Sequence, residues 1–333
     1  MAGSQHAARN RTDPHVPTRS EMAYLIDLTV RLATGMMGLP EELREKHARW
    51  LLARQQPDGG FGGREGGSDL YYTSFGLRSL MLLGALDGEP AARAAQYLQK
   101  QLQTRQTVID LISLVFAAQA LEAASGRNVL QAAQAGWQDA LAGLLESLRR
   151  EQGGYAKTPQ GTTSSTYQTF LTLLCYELIE REPPRPQVLV DFLRAQEHEL
   201  GGFLEVRLAK RAGVNPTAAA VGGLRMLNAI DLELANRTGA FLAEQQTDEG
   251  GLAANTRIPV ADLLSTCTGL IASDDLRQPQ YLNRTAAASY VRSMERADGG
   301  FAGFALDASQ DVEYTFYGLA ALALTEVLPG LTE

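Results

Sequence analysis

The sequence predicts an all-α protein, a closed (α/α)6 toroid of six helix-pair repeats around a central apolar chamber. Three observations point there. A Gly-Gly step followed by an aromatic or aliphatic residue recurs at a nearly fixed period, helices that mix charge with apolar residues alternate with helices almost free of charge, and no segment demands a β-strand. Self-similarity at a period of this size marks a repeat architecture.

The step reads Gln55-Gln56-Pro57-Asp58-Gly59-Gly60-Phe61, then Glu151-Gln152-Gly153-Gly154-Tyr155, Gly201-Gly202-Phe203, Gln246-Thr247-Asp248-Glu249-Gly250-Gly251-Leu252 and Asp298-Gly299-Gly300-Phe301. The last three intervals are 48, 49 and 49 residues, and the first is 94, about two periods. A sixth unit without glycines therefore fills that gap near Gln103–Thr107, and the segment 99–124 is expected to form a complete pair. Before each step lies a helix such as 48–54 or 290–294, carrying Arg among apolar residues. The glycines end it, because glycine tolerates the left-handed conformation of a helix C-cap; Gly154 and Gly251 are expected to adopt positive φ.

A loop follows, then a second helix. Segments 111–121, 165–176, 263–272 and 314–325 contain no charged residue, while 70–86 and 217–230 contain one Arg each. A helix apolar all round is buried on all sides. Charged helices outside and uncharged helices inside give two concentric rings. Gly60-Phe61-Gly62-Gly63 is not a phosphate-cradling loop, because it follows a helix where that motif requires a strand.

Composition narrows the function classes. The chain of 333 residues is 45% hydrophobic, and its net charge of −8 argues against nucleic acid, which selects a basic surface. Residues 1–20 are polar with no apolar run and are expected to be a disordered tail, leaving 21–333 as a single toroid domain. No stretch approaches the length of a membrane span. Cys175 and Cys267 both lie in apolar runs, so no disulfide framework is expected and the cytoplasm is the default location. Two Asn-x-Thr matches, at Asn236 and Asn283, mean little without secretion.

The pattern Gln-x-x-Asp-Gly-Gly-Phe, a loop, then Asp69-Leu70-Tyr71-Tyr72-Thr73-Ser74-Phe75-Gly76-Leu77 resembles the repeat of protein prenyltransferase β subunits. The last unit, Asp311-Val312-Glu313-Tyr314-Thr315-Phe316-Tyr317-Gly318-Leu319, is similar to the last repeat of the geranylgeranyl transferases. The resemblance covers about residues 45–325, and class II terpene and squalene cyclases share the same repeat. It implies a chamber suited to an isoprenoid and, in the transferases, a separate helical partner subunit. It also implies zinc held by an Asp-x-Cys and a His, slots that fall here on Val260, Asp262 and Tyr314. With all three replaced, and with His6, His15, His47 and His198 all off the inner helices, no zinc is expected. Mg2+ would come only with a diphosphate substrate. The Asp-x-Asp-Asp acid of class II cyclases is absent too; Asp274-Asp275 lies in the wrong part of its repeat, and Asp311-x-Glu313 is the nearest approach.

Seven positions before the helix glycine, or its equivalent Ala117, an Asp recurs at 69, 110, 262 and 311. Asp is a preferred N-cap, and these carboxylates also ring one mouth of the chamber, where a buried one would have a raised pKa and act as an acid. Asp262, Asp311, Glu313 and Tyr314 are the catalytic candidates, because they occupy the repeats where the resembled enzymes do their chemistry. Tyr72, Ser113, Ser265 and Tyr314 come three residues after the Asp, and Gly76, Ala117, Gly269 and Gly318 four beyond those, all on one helix face. Tyr72 and Tyr314 are expected to line the wall with Phe75, Phe116, Tyr167, Phe170 and Tyr317, since aromatic faces hold prenyl chains and stabilise cations. The small residues either leave room for a ligand or let helices pack closely.

Basic residues in the loops, Arg64, Lys157, Arg207, Lys210, Arg211 and Arg257, share the rim with the inner-helix N-termini, which favour anions. Of these, Arg207, Lys210, Arg211 and Arg257 are the candidates for a diphosphate; the resembled transferases use a His at the slot of Pro216. The function implied is a prenyltransferase-like enzyme that binds an isoprenoid diphosphate without zinc. A class II-like terpene cyclase with a non-standard Asp acid and a non-catalytic isoprenoid-binding or scaffold protein are the alternatives.

Overall fold

The computed structural model describes residues 23–104 and 108–326. The expected tail, 1–20, and the three residues 105–107 of the glycine-free unit lie outside the described residues. Helix α1 (Tyr24–Gly38) comes first. Six outer–inner pairs follow: α2 (Glu41–Leu52) and α3 (Leu70–Leu82), α4 (Gly88–Gln101) and α5 (Val108–Ser125), α6 (Trp137–Ser147) and α7 (Thr166–Leu178), α8 (Pro186–Arg194) and α9 (Val214–Met226), α10 (Leu232–Gln245) and α11 (Leu263–Asp275), α12 (Arg284–Ser293) and α13 (Val312–Thr325). Each inner helix packs on the next, and α13 returns to α3, closing the ring. The glycine-free unit forms the pair α4–α5 as expected.

The loops explain the repeat. The first glycine of each pair has positive φ, as at Gly153 (φ 100) and Gly250 (φ 95). Gly154 and Gly251 do not, contrary to expectation; they are small for another reason. A Cβ on either would lie 2.5 Å from the aromatic ring of the next outer helix, Phe192 or Tyr290. Gly300 meets Trp50 of α2 in the same way, so the last loop locks onto the first outer helix. At that seam His47, fully buried, stacks on Phe301. Its Nδ1 accepts from the Gly300 N–H at 3.0 Å, so Nε2 carries the proton and donates to Glu295. His47 and then Lys46 hold the Glu295 carboxyl down at about 2.

The residue after the glycines turns inward in a short β-bridge to the helix cap, as in Phe61 with Asp69 and Tyr155 with Ser165. In the last loop this grows into two-residue strands, β1 (Phe301–Ala302) and β2 (Gln310–Asp311). One recurring residue escapes a reading of glycines and carboxylates. The N–H groups of Phe61, Tyr155, Phe203, Leu252 and Phe301 all donate to a buried threonine, Thr73, Thr169, Thr217, Thr266 and Thr315. The glycine-free unit has Leu114 at that position. Thr266→Val keeps the shape but leaves the buried Leu252 N–H without its acceptor, a loss of about 1–3 kcal/mol. Urea unfolding should show it as a lower midpoint, and an unchanged midpoint would mean that the N–H finds another partner.

Helix α1 is the element the repeat does not predict. It lies across the ring at the C-terminal ends of the inner helices, touching α3, α7, α9 and α13. The Glu177 carboxylate of α7 accepts from the Tyr24 and Leu25 N–H groups at 2.8 and 2.7 Å, placing a negative charge at the N-terminus of α1. The Tyr24 hydroxyl donates to Asp275 of α11 at 2.8 Å. Arg31 and Arg225 pair with Asp27 and Asp275. Gly35 lies so close to the α13 backbone that a Cβ would overlap the Ala323 carbonyl. Leu28, Leu32 and Met36 are buried, while Ile26, Val30 and Met37 face outward. The far end of the chamber is therefore closed.

Candidate functional site

The inner helices begin at one rim, and their caps fix which side chains enter the chamber. Asp69, Asp262 and Asp311 are N-caps, accepting from the N–H groups of Tyr72, Ser265 and Tyr314 at 2.8, 2.7 and 2.8 Å. Ser165 caps α7 in the same way. Asp110 instead lies within the first turn of α5.

From these caps the chamber face is one residue earlier than the sequence suggests. Tyr72 and Tyr314 lie against Gly63 and Gly303 of their own loops, where a Cβ would stand 2.7 and 2.6 Å from the rings. Gly76, Gly269 and Gly318 continue that face and admit the loop residues Phe61, Leu252 and Phe301, which a Cβ would meet at 2.7, 2.3 and 2.5 Å. These glycines therefore serve packing within the repeat, and Tyr72 and Tyr314 belong to the rim. The chamber wall is Tyr71, Phe75 and Arg78 on α3, spaced to share one helix face. Glu313 and Tyr317 on α13 and Leu264, Thr268 and Ile271 on α11 follow the same spacing, all half-buried.

Across this space the expected aromatic residues converge. Phe75 lies 5.4 Å from both Phe316 and Tyr317, and Phe116 faces the same region from α5. Tyr167 is 47% exposed on the wall of α7. Phe170 lies deeper, edge-on to Tyr24 of the closing helix at 5.8 Å. On α9 and α11, Thr268 donates to Asn215 at 2.7 Å, a polar bridge within the wall.

Two ionisable groups stand out on this wall. The Tyr71 hydroxyl donates to Glu313 at 2.7 Å. Burial raises the Glu313 carboxyl above the usual range, helped by the nearby charge of Asp311 and opposed by the Tyr71 hydrogen bond and by Arg64. Burial likewise raises Tyr71. Glu313 was among the candidates; Tyr71 was missed for its neighbour Tyr72. The second is Arg78, the one charge in its helix, whose guanidinium lies 4.1 Å from the Phe316 ring centre.

The other carboxylates have other partners. Asp311 accepts from Arg64 Nε at 2.9 Å as well as capping α13. Arg64 also pairs with Asp307, so this rim cation is already matched. Asp262 accepts from both the N–H and the hydroxyl of Ser265, at 2.7 and 2.8 Å, and burial raises its carboxyl.

Above α9 and α11 the loops form an open rim groove of about 800 Å³ lined by Ala209, Lys210, Arg211, Asn255, Arg257, Ile258 and Pro259. Three of the four basic candidates meet there. Arg207 does not; it is exposed and reaches the Ala195 carbonyl at 3.4 Å.

Comparison with known proteins agrees with the fold. The family model for the prenyltransferase alpha-alpha toroid domain matches residues 17–111, 92–258 and 184–332. The chain belongs to the prenyltransferase alpha-alpha toroid family. Among solved structures, this toroid is similar to protein geranylgeranyltransferase-I from Candida albicans, complexed with GGPP. The TM-score is 0.65 at 16% identity, covering 85% of this chain and 91% of that one. It is also similar to a type II terpene cyclase from Scytonema in complex with its substrate geranylgeranyl dihydroxybenzoate, at a TM-score of 0.57 and 13% identity, covering 90% and 98%. At such identities the likeness is one of fold. No curated protein matches the sequence.

The prenyltransferase toroid brings zinc into question. The implied slots hold Val260, Asp262 engaged with Ser265, and Tyr314 over Gly303. Cys267 is fully buried, its thiol pushed up to about 12. These residues do not fit the nitrogen and sulfur donors zinc takes. Among the described residues, no three His, Cys, Asp or Glu side chains gather as a metal site, and no helix is long and apolar enough to cross a membrane.

Proposed function

We propose that this toroid is a zinc-independent, prenyltransferase-like enzyme that takes an isoprenoid diphosphate into its chamber. The observation that carries this reading is the rim groove, where Lys210, Arg211 and Arg257 gather beside an aromatic-walled chamber. Clustered cations supply charge-assisted contacts to a diphosphate, and the rings of Phe75, Phe116, Tyr167, Phe170 and Tyr317 suit an unsaturated hydrocarbon tail. Such a head-at-rim, tail-inside pose would place the allylic carbons near Glu313 and Tyr71. The solved relatives hold geranylgeranyl compounds, which supports the same ligand class.

A second reading is favoured by Glu313 itself. A carboxyl whose pKa is raised by burial and which faces an aromatic wall is the equipment of an alkene-protonating cyclase. The cations at the rim favour the diphosphate reading over it.

Titration calorimetry of the full chain with geranylgeranyl diphosphate and geranylgeraniol tests the proposal. Binding of both is expected, the diphosphate more tightly, with a rise in melting temperature. Neither heat nor thermal protection from either compound would sink it and leave a scaffold role.

A further inference from the structure

Arg78 has no use in that pose. It lies two turns below the rim on α3, roughly 10 Å further down the helix axis than Tyr71. Burial lowers its basicity, and no carboxylate opposes that effect. Among the described residues it makes no hydrogen bond or ion pair; its contacts are the faces of Phe316, Phe116 and Phe75, at 4.1, 5.5 and 5.9 Å from the ring centres. The wall carboxylate Glu313 is engaged by Tyr71, and the cation that acts on it is Arg64.

Stacking uses the face of a guanidinium and leaves the in-plane N–H groups at its edge for acceptors. Aromatic neighbours shield a half-buried cation from water without giving it an acceptor, which is costly. A half-buried Arg78 that can reach the chamber space is therefore a site for something that enters it.

We propose that Arg78 anchors an interior anion subsite, which takes a carboxylate carried on an apolar ligand in the chamber. This rests on the reading of the chamber as an isoprenoid pocket. A single guanidinium suits a planar monoanion, which it grips through two parallel hydrogen bonds. The more highly charged diphosphate suits the three cations of the rim. The subsite thus gives the chamber a polar point partway down its wall as well as a polar mouth.

The test compares acid with alcohol by calorimetry on the full chain. One pair is geranylgeranoic acid and geranylgeraniol; the other is dodecanoate and dodecanol, which probes Arg78 without assuming a prenyl chain. The native protein should prefer each acid by about tenfold or more. Arg78→Met should erase the preference and leave the alcohols unaffected, and Arg78→Lys should retain part of it. The melting temperature of Arg78→Met should hold or rise, since an unpaired cation has gone, whereas a purely packing role would lower it. If the methionine variant does not fold, Arg78→Gln provides the same comparison.

No acid preference in either pair, or a preference that survives in Arg78→Met, overturns the subsite. If the prenyl alcohol and diphosphate bind without any preference for the acids, the subsite fails while the isoprenoid reading stands. If dodecanoate depends on Arg78 and no prenyl compound binds, the subsite stands and the isoprenoid reading fails.

Discussion

Glu313→Gln is expected to lower turnover of a bound prenyl substrate by about 10²-fold or more, the usual scale of a lost general acid or base, with affinity changed little. Glutamine keeps the size of the side chain and can still accept from Tyr71, but it holds no transferable proton. The pH profile follows from the upward shift of this carboxyl. The protonated form persists above the ordinary carboxylate range, so an acid-dependent rate is present at lower pH. It is lost as pH rises through the raised pKa, and Glu313→Gln abolishes that limb. Asp262→Asn and Asp311→Asn are the controls, because Asn caps a helix about as well as Asp. If turnover survives Glu313→Gln with its pH limb intact, the proton comes from elsewhere. A collapse in Asp262→Asn alone would move the acid to that cap.

Replacing Lys210, Arg211 and Arg257 together by Ala should weaken a prenyl diphosphate about a hundredfold or more, since each charge-assisted contact contributes about 1.5–3 kcal/mol and the losses overlap. The matching alcohol should bind as before, because it has no charge to lose. Arg207→Ala, outside the groove, is the comparison and should alter neither ligand much. Calorimetry of both ligands against both variants decides it. Equal weakening of alcohol and diphosphate would mean the loops deform rather than lose a charge site.

The closed ring was legible because glycine spacing and charge alternation are local. The face that looks into the chamber was not. Spacing of three and four residues groups Tyr72 with Gly76, and Tyr314 with Gly318, but does not say which way the group points. That depends on Phe61 and Phe301 folding back from their loops to occupy the glycine side, a contact within each repeat that only the folded loop reveals. The rotation by one residue then brings Tyr71 to Glu313. Arg78 was visible as a lone charge on an uncharged helix, yet its exposure to the chamber depended on the same rotation. The cations of 210, 211 and 257 were legible as loop residues because every Gly-Gly loop returns to the same rim. Arg207 was not separable from them by sequence, since only the folded loop turns its side chain to the Ala195 carbonyl, away from the groove. Helix α1 fell outside the repeat, and neither glycine spacing nor charge alternation points to its pairing with Glu177, Arg225 and Asp275.

That crossing makes the toroid a vessel rather than a tunnel. With α1 packed across its far end, an isoprenoid bound as proposed would have to enter and leave by the rim. Under that proposal the depth open to a chain would be set by α1, a segment that belongs to none of the six repeats. Chain-length preference in such a molecule would then be free to change by substitution in α1 while the six repeats stay as they are.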